Sequence, residues 1–125
     1  MVNKATKAII CTAFSNGKKH DFKLFKESDV HFKESTEVKV DTGYLGLSKM
    51  HAKTTMPKKK SKKNPLTKED KKKNRKTSSD RVSNEHVIGF IKRFKIVADK
   101  YRNRRKRFGL RFNLIAGICN FEMAT

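Results

Sequence analysis

Arg81, Glu85 and Lys92 stand four and seven residues apart. At 3.6 residues per turn, those spacings place all three on one face of a helix. A carboxylate between a guanidinium and an ammonium on a rigid element is equipped for phosphate or metal chemistry. The carboxylate offers hard oxygen donors to a divalent cation, and the two cations neutralise a phosphodiester. The same spacing also describes a surface helix laced with ion pairs. A second stripe, Val87, Phe90, Ile91, Phe94 and Ala98, lies on roughly the opposite side and predicts the buried face.

A second carboxylate has a different setting. Glu37-Val-Lys-Val40 alternates as a strand does and runs into Asp41-Thr-Gly43-Tyr44-Leu-Gly46. A strand end fixes a carboxylate, and the glycines after it let backbone or ligand approach closely. An ordinary Asp-x-Gly turn is the competing reading.

The whole chain is strongly basic. It carries 32 Lys and Arg against 12 acidic residues, a net charge of +20 in 125 residues. Such a balance selects polyanionic partners through counterion release, nucleic acid before membrane. No apolar run approaches the roughly 20 residues that span a bilayer, and the Ala8-Ile-Ile-Cys11 run is too short for a signal peptide. A cytoplasmic protein of one domain is expected. Cys11 and Cys119 stand alone in apolar settings and read as small buried hydrophobes. The four histidines show no zinc-type spacing.

The positioning elements follow in order. Residues 6–14 read as a buried strand, ended by Ser15-Asn-Gly17. Asp21 to Ser28 reads as a short helix with Asp21 at its positive end. Thr54-Thr-Met56 reads as a short strand before Pro57. From Lys49 to Lys76 there are 13 cations and two acids, and Pro57 to Lys63 reads as a mobile basic loop. Thr67 predicts an N-cap, with Glu69 and Asp70 in the first turn of a lysine-rich helix to about Lys76. Thr77-Ser-Ser-Asp80 then predicts a fresh cap for the central helix, running to about Lys100. The cationic run Arg102, Arg104, Arg105, Lys106 and Arg107 follows Tyr101 and suits phosphate contact. Phe108 to Phe121 has two apolar stripes, Phe108-Phe112-Ile115-Cys119 and Leu110-Leu114-Ile118-Phe121, and predicts a largely buried helix.

Together, Asp41-x-Gly43-Tyr44-x-Gly46, Arg81-x3-Glu85-x6-Lys92 and the Tyr101–Ile118 segment resemble the C-terminal part of bacterial insertion-sequence transposases of the DDE class. The segment Gly17-Lys-Lys-His20-Asp21-Phe22 resembles the family's stretch before its second catalytic aspartate. Where the family signature has a tyrosine three residues before the arginine, this chain has Ser78.

The resemblance implies an α/β chain: a partial RNase H-like fold, with a small mixed sheet flanked by helices and the first strands missing. It implies one truncated catalytic domain over residues 1–125, with a basic insertion at about 49–76. Asp41 and Glu85 become the second and third carboxylates of a site for Mg²⁺ or Mn²⁺. Arg81, Lys92 and the 102–107 cations become contacts to DNA at transposon ends. The first catalytic aspartate has no counterpart, since the first acidic residue is Asp21. The expectation is therefore a chain inactive alone, completed by the missing N-terminal part or acting in a homodimer. A small basic, non-catalytic nucleic-acid-binding protein is the alternative.

Overall fold

The computed structural model describes residues 1–99 and 105–125. It is a mixed α/β chain divided into two compact units, one Ser15–Asp80 and the other Met1–Phe14 with Arg81–Thr125.

In the unit Ser15–Asp80, helix α1 (Asp21–Glu27) starts at His20, whose Nδ1 accepts the Phe22 N–H at 3.3 Å. Asp21 lies in its first turn, as the charge pattern predicts. The half-buried face of α1 feeds an aromatic cluster. Phe25 stacks on Phe32 with ring centroids 5.8 Å apart and meets the edge of Tyr44 at 6.4 Å. In the same unit Leu47, on the one-turn helix α2 (Leu47–Met50), is only 2% exposed. Burying a side chain of this size contributes about 2 kcal/mol. His51 is also buried, and its Nε2 donates to the Thr36 carbonyl at 2.5 Å.

Strands β1 (Val38–Lys39) and β2 (Thr54–Thr55) pair in parallel, Val38 opposite Thr54 and Lys39 opposite Thr55. Parallel strands need a crossover. Here it carries a 3₁₀ turn at Thr42–Tyr44 and α2.

Helix α3 (Lys68–Lys92) is one continuous rod of 25 residues, where the sequence predicts two helices. Its start is as expected: the Thr67 hydroxyl accepts the Asp70 N–H at 3.1 Å, and the Asp70 carboxylate accepts the Thr67 N–H at 3.2 Å. This reciprocal cap is worth about 1 kcal/mol. The second cap fails to form because its polar groups find partners without a break. Thr77 donates to the Lys73 carbonyl at 3.0 Å inside the helix, and Asp80 pairs with the Lys39 ammonium from β1. The basic stretch after Pro57 is irregular but begins at an anchor. Both backbone groups of Lys58 bond the Asn74 amide at 2.9 Å, and its ammonium reaches Asp70 at 2.8 Å.

In the other unit, the expected strand at 6–14 is reduced to a single bridge, Val2 opposite Ile9. The chain instead folds back through a tight turn. The Asn3 side chain accepts the Ala5 and Thr6 N–H groups, and Lys7 takes a left-handed conformation with φ of 63°. Backbone groups used in that turn are not available for a ladder.

The core of this unit joins Ile9, Val87, Ile91, Ile115, Ala116 and Cys119. Val87 and Ile91 are buried as expected, Phe90 and Phe94 half-buried, while Ala98 is exposed. The expected helix to Lys100 stops at Lys92, with a separate turn, α4 (Lys95–Ala98), after it. No Gly or Pro causes the break. Arg93 packs on the rings of Phe90 and Phe94, at 4.1 and 4.8 Å, and pairs with Glu122. On a continuous helix Ile96 would share the polar face of Arg81 and Glu85. The break lets Ile96 and Val97 pack against the core instead, so tertiary contacts override local propensity.

Helix α5 (Phe108–Ala124) buries Ile115 and Cys119 of its first predicted stripe, Cys119 fully, and leaves Phe108 and Phe112 half-buried. Its second stripe is exposed, from Ile118 at 48% to Phe121 at 73%, with Leu110 and Leu114 also open to solvent. Within this unit the apolar face of α3 supplies one partner stripe, and one stripe of α5 answers it. Cys11, expected to be buried, is only partly so.

Candidate functional site

Asp41 follows the β1 ladder, which ends with the Val40 N–H bonded to the Thr55 carbonyl at 3.0 Å. It caps the 3₁₀ turn Thr42–Tyr44, and its Oδ1 accepts the Gly43 N–H at 2.9 Å. The carboxylate is therefore half-buried and held by its own loop. The glycines of the motif acquire a physical reason. A Cβ on Gly43 would meet Asp41 Oδ1 at 3.0 Å, so Gly43 is what allows the carboxylate to fold over the turn. Gly46 takes φ of 102°, a left-handed conformation that disfavours side chains, and a Cβ there would meet Phe22 at 3.2 Å. The sequence predicts close approach at these glycines. The approaching groups are the protein's own.

Tyr44 completes this loop. Burial raises its phenol pKa above the ordinary value, and the negative charges of Asp21 and Asp41 raise it further. Tyr44 thus stays a neutral donor within electrostatic reach of two carboxylates. Sequence reasoning finds Tyr44 only as part of a motif and gives no sign that Asp21, on α1, shares its surroundings.

Glu85 and Lys92 are exposed on α3, and Arg81 is half-buried. Their spacing along one continuous helix does put them on one face, opposite the buried Val87 and Ile91. Of the cationic run, Lys106 and Arg107 are exposed in the 3₁₀ turn Arg105–Arg107 that leads into α5. Arg105 lies in the same turn, while Arg102 and Arg104 lie outside the described residues.

The donor types suit a hard divalent cation, since both motif carboxylates offer oxygen. The number is short: among the described residues no group of three or more His, Cys, Asp or Glu side chains is placed to hold an ion.

The family model for DDE superfamily endonucleases matches residues 1–120, and the chain belongs to that family. A probable transposase for insertion sequence element IS702 from Microchaete diplosiphon is 46% identical over 124 residues, which is 99% of this chain. The chain spans 45% of that relative's length. No solved structure matches the chain. Among the described residues no helix is long and apolar enough to cross a membrane.

Proposed function

We propose that this chain is a portion of the catalytic domain of a DNA transposase, with an RNase H-like fold completed by polypeptide outside these 125 residues. Asp41 and Glu85 are its carboxylate ligands for Mg²⁺ or Mn²⁺. Arg81, Lys92 and the cations Arg102, Arg104, Arg105, Lys106 and Arg107 hold the phosphates of transposon-end DNA. The observation that carries this reading is the family match over residues 1–120, which includes both motif carboxylates. The exposed stripe Leu110, Leu114, Ile118 and Phe121 supports a fold that further polypeptide completes, because contiguous apolar surface of this kind normally finds a cover.

Divalent cations, when bound, activate the attacking oxygen and stabilise the leaving oxygen of a phosphodiester. The chain's own residues do the positioning. The Gly43 N–H orients Asp41, α3 carries Glu85 rigidly, and the cations beside Glu85 offset the charge of an incoming backbone. Two carboxylates hold such ions more weakly than three, so the chain alone is inactive. Supercoiled DNA incubated with the chain and Mg²⁺ should remain uncut. Cleavage that Asp41→Ala or Glu85→Ala abolishes would overturn the claim of inactivity while upholding the assignment of the two residues. Cleavage indifferent to both substitutions would overturn the assignment.

A further inference from the structure

The first half of α3 carries a second feature that Asp41 and Glu85 do not explain. Asp70, Asn74 and Thr77 recur at spacings of four and three residues and form one stripe of the helix. That stripe faces inward. Thr77 is buried, Asn74 and Asp70 are half-buried, and Asn74 and Asp70 anchor Lys58 through three hydrogen bonds. The mooring fixes the rotational setting of the helix. Opposite the stripe, Lys68, Lys71, Lys72, Arg75 and Lys76 are all exposed. At 100° per residue they fill an arc of about 140° over about 12 Å of helix, with no acidic residue inside the arc. Glu69 stands at its edge, and Asp70 already has the ammonium of Lys58. Five like charges so close repel one another and gather counterions, which a polyanion displaces on binding.

We propose that this face of α3 is a landing surface for the sugar–phosphate backbone of double-stranded DNA, independent of base sequence and separate from Asp41 and Glu85. Exposed lysines and an arginine along one helix face match a charged backbone without reading base edges. The choice of DNA over RNA rests on the transposase reading. The surface itself rests on the charge arrangement.

The test is fluorescence anisotropy of the full chain with a random-sequence duplex across a salt series, in a metal chelator. The chelator removes metal-dependent contacts, so failure here leaves the assignment of Asp41 and Glu85 standing, and failure of that assignment leaves this test intact. The triple variant K72Q/R75Q/K76Q should lower the log–log salt slope by about 2.7, at 0.9 per phosphate contact. Its affinity near 0.1 M salt should fall more than tenfold. A control of equal charge, K18Q/K23Q/K33Q, alters exposed lysines elsewhere in the same unit and should change the slope by less than about 1. Circular dichroism checks that the helix persists, and K72R/K76R should bind as the parent does. Equal losses in the two triple variants would show a bulk-charge effect and overturn the proposal. So would tighter binding of duplex RNA than of duplex DNA, or weak binding by K72R/K76R.

Discussion

The side-chain amide of Asn120 occupies both backbone polar groups of Ile9: its Oδ1 accepts the Ile9 N–H at 2.7 Å, and its Nδ2 donates to the Ile9 carbonyl at 2.9 Å. A side chain on α5 thus does for Ile9 what a neighbouring strand would do. It is the physical reason that Ile9 can be buried without a ladder.

Asn120→Ala should therefore destabilise the chain by about 2–3 kcal/mol, since it leaves a donor and an acceptor unmet beside the core. Urea unfolding measures this. A loss below about 0.5 kcal/mol would mean that water replaces the amide at little cost.

Asp70 gives a pH signature. The hydrogen bond from Lys58 holds its carboxyl below the ordinary value, and the Thr67 N–H lowers it further. Its folded pKa lies below its unfolded one. The stability it contributes is present above the unfolded value, about 4, and is lost as pH falls through the folded value. Asp70→Asn should be less stable than the parent at pH 7, and the two should converge in acid. Parallel stability curves would contradict the assignment.

Tyr44 behaves in the opposite sense. Its pKa is raised, so the stability it contributes is present below about 10 and lost as pH rises through the folded value. Tyr44→Phe should flatten the alkaline fall in stability. In a Tyr101→Phe background, tyrosinate absorbance should show Tyr44 ionising at lower pH in Asp21→Asn than in the parent. An unchanged titration would remove Asp21 from the surroundings of Tyr44.

Legibility in the sequence followed the range of the interactions. The cap at Thr67, the start of α1 and the β1–turn–glycine order depend on neighbours a few residues apart, and they are readable. The family is readable because three spaced motifs coincide. The continuity of α3 through Thr77–Asp80 is not, because it depends on Lys39 reaching Asp80 from β1. Nor is the helix break after Lys92, which Arg93, Phe90, Phe94 and Glu122 impose together. At residues 6–14 the β-forming composition is outweighed by the Asn3 turn and the Asn120 amide. The second stripe of α5 is apolar by sequence, and periodicity cannot say which of two apolar stripes finds a partner. The motif carboxylates are legible as residues, but the coupling of Asp41 and Asp21 to Tyr44 is a property of the folded loop.

Whether Asp41 and Glu85 hold a divalent cation can be read from Mn²⁺ titration of the isotopically labelled chain, followed by paramagnetic broadening of backbone amide signals. This readout detects weak binding, which two carboxylates without a third would give. The amides around Gly43 and Glu85 should broaden first; Asp41→Asn should remove the effect at Gly43, and Glu85→Gln should remove it at Glu85. Early broadening around Glu34, Glu37 or Asp99 instead, unchanged in both variants, would contradict the assignment of Asp41 and Glu85.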